Sequence, residues 1–206
     1  MTKMHATANV IEKLKVYTRF ILISIGIDLH KKKEDRRVLE KIIFPFFSSN
    51  SEFNKILFVG CDWYTKVYNK IFEGKDFQTM DINPKVKIYG ANKHIIDRVE
   101  NIGKYFNDSV LDLIICNGVW GWGLNEKSQT EDAFLGCYQC IREGGILLLG
   151  WDDIQKYRPF PLNECESLKL FKPFFFNPLS SSQYLTHTPY RHTYNFYIKQ
   201  NSVCRF

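Results

Sequence analysis

Five places in this chain set a polar or flexible residue directly after a short apolar run. Gly60-Cys61-Asp62 follows Ile56–Val59, and Asp81 closes Phe77–Met80. Asp97 ends the run begun by His94, Asn117-Gly118 follows Leu111–Cys116, and Gly150-Trp151-Asp152 follows Ile146–Leu149. Asp81 comes 21 positions after Gly60. That is the offset at which an acid at the end of a second strand meets the two hydroxyls of a ribose. A carboxylate suits the task because its two oxygens both accept hydrogen bonds from a vicinal diol. The turn after the first run carries one glycine where a pyrophosphate cradle needs three, and Trp63 and Tyr64 would obstruct phosphates. NAD and FAD are therefore disfavoured, and an adenosine ligand without phosphates fits better.

The elements that must position these residues read as an α/β fold. Ile56–Val59, Phe77–Asp81, His94–Asp97, Leu111–Cys116 and Ile146–Leu149 have strand character, and residues 62–73 and 126–141 have helical spacing. Strands alternating with helices imply right-handed crossovers and a mostly parallel sheet. Before them, Val10, Leu14, Tyr17, Ile21 and Ile25 mark one amphipathic helix. Val38 to Phe46 mark a second, which Pro45 and the serines at 48–51 should close. After them, Leu168–Phe176 and Tyr194–Ile198 read as strands joined by a serine-rich loop. The expected organisation is a single domain: a helical cap over 1–51, a ligand-binding core over 52–153, and a substrate-side segment over 154–206.

The 206 residues carry a net charge of +6, and residues 1–41 hold most of it, ten Lys/Arg against five Asp/Glu. A nucleic-acid footprint along the whole chain is thus excluded. Six cysteines do not make a disulfide scaffold, and most lie in apolar runs as small hydrophobes. Cys137-x-x-Cys140 lies on a helical pattern without a second pair, so no metal is expected. The run Phe20–Ile27 is far shorter than the ~20 residues of a spanning helix. A cytoplasmic protein with no membrane partner is the expectation.

From about Lys55 to Asp153 the chain resembles the class I S-adenosylmethionine-dependent methyltransferases. The likeness rests on KILFVGCD, QTMDIN, HIID, LDLIICNGVW and IREGGILLLGWDD, in the family's order. It implies a three-layer Rossmann-like sandwich with a mostly parallel seven-stranded sheet, an antiparallel C-terminal edge strand and an N-terminal helical extension. It also implies S-adenosylmethionine as cofactor. Gly60, Cys61 and Asp62 would meet it through the first turn, Asp81 and Ile82 at the ribose, Asp97 at the adenine, and Asn117 and Gly118 beside the methyl. Trp120 or Trp122 would flank the sulfonium, whose charge an aromatic face attracts. Trp122, Trp151 and Tyr190 would shape the substrate pocket. Two positions depart from the family: Asp62 stands where a second glycine is usual, and Asn117-Gly118-Val119-Trp120 lacks the Pro-Pro-aromatic of nucleobase amino-methyltransferases.

An acceptor that still carries its proton needs a general base. Asp152, His187 and His192 are the candidates, with Asp153 beside them, while His94 within a strand is structural. The expected activity is methyl transfer to an O or N atom of a small molecule. One alternative is an RNA or protein methyltransferase gripping its substrate through Lys31–Lys33, Arg36 and Arg37. A second is a non-catalytic binder of an S-adenosyl ligand.

Overall fold

The computed structural model describes residues 14, 15, 17, 18, 20–22 and 33–200. Eight strands form one sheet: β1 (Lys55–Val59), β2 (Asp76–Asp81), β3 (Lys93–Ile96), β4 (Leu111–Asn117), β5 (Ile141–Asp152), β6 (Lys172–Pro173), β7 (Gln183–Leu185) and β8 (His192–Ile198). The order is β3-β2-β1-β4-β5-β8-β6, with β7 also on β8. The first five are parallel, whereas β8 runs antiparallel to β5 and pairs with β6 and β7. The expected architecture is therefore present. It has one strand more than expected because the edge beyond β8 is split into two short pieces.

Helices cover both faces, and the strands alternate between two cores. Leu57, Val59, Ile114, Cys116, Leu147 and Leu149 face α4 (Lys127–Cys140) through Ala133, Phe134 and Cys137. Ile56, Phe58, Leu113, Ile115, Ile146 and Leu148 face the other layer, with Phe44, Phe47, Tyr68 and Phe72. This period of two on strands buried on both sides explains why β1, β4 and β5 read as continuous apolar runs. Cys61 and Cys116 fall into opposite cores, and Cys137 and Cys140 are fully buried. Burial pushes the Cys61 thiol up to about 12, with Asp81 adding to it, and the Cys116 thiol likewise to about 12.

Four local expectations need correction. Pro45 does not end the second helix. α1 (Glu34–Val38) continues through a π turn, Leu39–Ile43, into α2 (Phe44–Ser49), which holds Pro45 in its first turn. Proline's missing N–H falls in the first turn of α2, and the π turn just before it closes with the Phe44 N–H donating to the Leu39 carbonyl. Phe44 packs edge-on against Phe58 and Tyr68, so this helix is part of the core layer. The stretch 62–73 is a 3₁₀ helix, Trp63–Val67, leading into a short α3 (Tyr68–Ile71). Leu168–Phe176 is not a strand. It holds a 3₁₀ turn, Ser167–Leu170, and the two residues of β6. Leu168 and Phe171 belong to one core and Phe176 to the other, so the segment crosses over the sheet edge. Finally, Glu143-Gly144-Gly145, which in sequence reads as a tight turn into the fifth strand, is a kink inside β5, with Gly144 at φ 73° and a register shift against β4.

The first helix falls mostly outside the described residues. Those described between 14 and 22 are helical, and Leu14, Tyr17 and Ile21 are exposed. Among the described residues, no helix is long and apolar enough to cross a membrane.

Candidate active site

The strand order reverses between β1 and β4, because the chain lays β2 and β3 on one side of β1 and β4 and β5 on the other. Loops at the carboxyl ends of β1 and β4 therefore diverge and open a crevice. A cleft of about 800 Å³ occupies it, large enough for a cofactor and a small substrate together. Gly60 makes its floor possible. It has φ 97°, and a Cβ there would run into the Asn117 carbonyl and Val119.

One half of the cleft is organised by Asp81. Its Oδ2 accepts the Cys61 N–H at 2.7 Å, tying the end of β2 to the turn after β1, and its Oδ1 accepts the Asn83 N–H at 2.7 Å. Each oxygen keeps a second acceptor direction for a ligand. Ile82, 57% exposed beside it, presents an apolar face. A side pocket of about 70 Å³ continues from here past Asp97, Val99 and Leu124. Asp97 Oδ1 accepts from the Asn101 amide and the Arg98 N–H, and its Oδ2 accepts the Tyr105 hydroxyl at 2.7 Å. These bonds, the Asn101 and Tyr105 side chains foremost, hold its pKa down at about 2. Asp62 sits on the rim in extended conformation (φ −151°), where no glycine is required, and caps the 3₁₀ turn by accepting from Trp63 N–H.

The other half is built where β4, β5 and β8 end together. Asp152 of β5 is paired in register with His192 of β8, and its Oδ1 lies 2.7 Å from His192 Nδ1. His192 Nε2 lies 3.1 Å from Asn117 Oδ1, and Trp122 Nε1 donates to Asp152 Oδ2 at 3.0 Å. Asn117, Asp152 and His192 are all buried, yet all three border the cleft. Gly150 lets this row exist, since a Cβ there would strike the Asn117 side chain. The carboxylate fixes a proton on Nδ1. Asn117 can satisfy Nε2 in either protonation state, because a half-turn of the amide exchanges its acceptor for its donor. Both ring nitrogens are thus hydrogen-bonded within the row.

α1 closes the cleft from above. Glu34 accepts the His187 N–H at 2.7 Å and the Tyr184 hydroxyl at 3.4 Å, and Tyr194 donates to the Asp35 carbonyl at 2.9 Å. Arg36 lies with its guanidinium 3.4 Å from the centroid of the Tyr64 ring and donates to the Tyr68 hydroxyl.

No protein-family model matches the chain, and no curated protein matches it in sequence. Solved structures do match in shape. The N-methyltransferase NodS from Bradyrhizobium japonicum WM9 aligns with a TM-score of 0.61 at 11% identity, over 81% of this chain and 97% of that one. A TehB-like SAM-dependent methyltransferase from Corynebacterium glutamicum aligns with a TM-score of 0.56 at 13% identity, over 96% and 100%. TehB from Haemophilus influenzae aligns at 0.55 and 12% identity, over 80% and 66%. The chain has the class I S-adenosylmethionine-dependent methyltransferase fold.

Within this methyltransferase fold, Gly60, Cys61, Asp62, Asp81, Ile82, Asn117, Gly118, Trp122, Asp152, His187, Tyr190 and His192 all border the one cleft, and Asp97 its side pocket. Two expected positions do not. Trp120 is fully buried, packed edge-on against Trp151 at 4.9 Å and against Phe160. Trp151 is buried with it and donates to Asn195. Both side chains point from the sheet into the α4 core, away from the crevice. Asp153 pairs with Arg158 and Arg191 instead of entering the cleft. His94 bonds Thr79 at 2.8 Å within the sheet. Lys33, Arg36 and Tyr64 border the cleft too, and so do Glu34 and Asp35, which the sequence did not single out. Nothing in their local spacing announces it, since Glu34 meets His187 across 153 positions.

Proposed function

We propose that this chain is a methyltransferase that uses S-adenosylmethionine to methylate an O or N atom of a small molecule. The observation that carries this reading is a single cleft in which Asp81 and the Asp152–His192 pair face the two halves of one ligand space. The residues fit the cofactor. Asp81 has open acceptor directions for the ribose hydroxyls, Ile82 and the side pocket suit the adenine, and Gly60 lets the backbone approach closely. Asp97 retains one free acceptor direction on Oδ2 for the adenine amino group. S-adenosylmethionine, when bound, supplies an activated methyl group whose bond to sulfur breaks with the electron pair staying on sulfur.

The chain's own residues then have defined tasks. Asp152 holds His192 with its proton on Nδ1, and the ring takes the acceptor's proton at Nε2 once the acceptor has displaced Asn117 from that nitrogen. Trp122 steadies the second oxygen of Asp152. Glu34 draws α1 over the cleft and helps to exclude water. An RNA substrate receives less support. Arg36 is engaged by Tyr64 and Tyr68, and the cleft wall carries Glu34, Asp35, Asp62, Asp81 and Asp152, which oppose a polyanion.

The test is a melting curve with S-adenosylhomocysteine, repeated with NADH. At ~100 times its dissociation constant a ligand stabilises by about 2.7 kcal/mol. A shift with the adenosyl ligand alone is expected. A shift with NADH, or with neither, overturns the cofactor assignment.

A further inference from the structure

The acceptor half of the cleft carries an aromatic wall. Trp122 is stacked on Tyr157 at 4.1 Å and 19°, and Tyr157 meets Tyr190 edge-on at 5.9 Å. Trp122 is fixed further by its hydrogen bond to Asp152. These are large aromatic surfaces left open, Trp122 at 52% and Tyr190 at 43% exposure, and both border the cleft. A ring face of this kind attracts a cation within about 6 Å of its centroid. The protein already places two there, for Lys33 Nζ lies 5.7 Å from the centre of the Tyr190 ring and Lys156 Nζ 5.0 Å from that of Tyr157.

The charge around this wall has the matching sign. Five carboxylates border the cleft against two cations, Lys33 and Arg36, in a chain whose net charge is +6. Arg36 is turned onto Tyr64 and Tyr68, so Lys33 is the remaining cation among the residues that line the cleft, while Lys156, against the Tyr157 ring, lies outside that lining. The cleft is thus a local negative region in a positive protein, and it is walled by aromatic rings.

We propose that the acceptor half of the cleft binds a cationic amine, whose ammonium group takes the position against Tyr190 that Lys33 now fills. The inference rests on reading the cleft as a methyl-acceptor site and names the class of acceptor. Lys33 acts as an internal competitor that the substrate displaces. A carboxylate or phosphate in the same place would meet Asp152 and Glu34 and is rejected by repulsion.

Titration calorimetry on the full chain decides it, using phenethylammonium, 2-phenylethanol and 3-phenylpropanoate as probes, with and without saturating S-adenosylhomocysteine. The amine is expected to bind at least about tenfold more tightly than the alcohol or the acid, and to weaken as salt is raised. Tyr190→Leu should weaken the amine about fivefold and leave the alcohol unchanged, while Tyr190→Phe keeps the ring and the affinity. Lys33→Met removes the competitor from an exposed position and should tighten the amine. Equal binding of the three probes, no binding of the amine, or an amine affinity indifferent to both Tyr190→Leu and Lys33→Met overturns the proposal. The two readings fail separately. S-adenosylhomocysteine that does not bind removes the methyltransferase assignment, whereas the amine titration of the unliganded chain still decides this one.

Discussion

Asp152 and His192 stand opposite each other in the antiparallel pairing of β5 with β8, 2.7 Å apart between Oδ1 and Nδ1. Forty residues separate them in the chain, and only the return of the C-terminal strand along β5 brings them together. The pairing makes the carboxylate a fixed partner for one ring nitrogen, and Asn117 at the cleft is the partner of the other.

Asp152→Asn should therefore change the state of the ring. In ¹⁵N NMR spectra the wild-type His192 is expected to show a protonated Nδ1, and the variant a mixture of tautomers. Methyl transfer to any accepted substrate that must lose a proton should fall by about a hundredfold. S-adenosylhomocysteine affinity should stay within about threefold. An unchanged His192 spectrum would sink the pairing as the source of the base.

Asp81→Asn retains one acceptor oxygen for the backbone N–H groups that the carboxylate now receives from Cys61 and Asn83. Stability should fall by only about 1 kcal/mol. Affinity for S-adenosylhomocysteine should fall at least tenfold, because an amide cannot accept both ribose hydroxyls. Calorimetry and urea unfolding on one preparation compare the two losses, and affinity equal to wild type would remove Asp81 from the site.

Gly60→Ala puts a side chain into a left-handed backbone conformation and against the Asn117 carbonyl and Val119. Strain and overpacking together should cost about 2–4 kcal/mol. Chemical denaturation measures this directly. A variant as stable as wild type would show that the turn after β1 relaxes freely.

Glu131 gives the fold an acid dependence. Burial raises its pKa, but hydrogen bonds from the Ser167 and Glu166 N–H groups and from the Ser167 and Cys165 side chains outweigh this, holding it at about 2 against an ordinary 4.5. A folded-state value below the unfolded one gives stability that is complete above pH 4.5 and is lost as the pH falls towards 2. The urea midpoint of the wild type should drop over this range, and Glu131→Gln should drop less. Parallel profiles would place the acid dependence elsewhere, with Asp97 the next group to change.

The C-terminal aromatics show where reading the chain reaches its limit. Leu168–Phe176 has the composition of a strand, yet Leu168 and Phe171 serve one core and Phe174 and Phe176 the other, so the segment folds over an edge. Pro45 in isolation reads as a stop, and only the π turn before it lets the helix pass through. Trp120 and Trp122 are two positions apart and equally suited to a cation by type. One fills the core against Trp151 and the other opens on the cleft.

By itself the sequence determined the parallel sheet and the strand-end residues. Apolar runs that bury both faces, with glycine or an acid at their ends, are local patterns set by backbone geometry and by the exclusion of water. Those patterns alone put Gly60, Asp81, Asp97 and Asn117 at carboxyl ends of strands. The tertiary structure alone decided the second half of the site. The Asn117–His192–Asp152–Trp122 row, the Glu34 contact with His187 and the Lys33–Tyr190 contact join residues 30 to 157 positions apart. Hydrogen bonds and ring contacts across such separations depend on how the chain returns along β8. No local periodicity encodes that return.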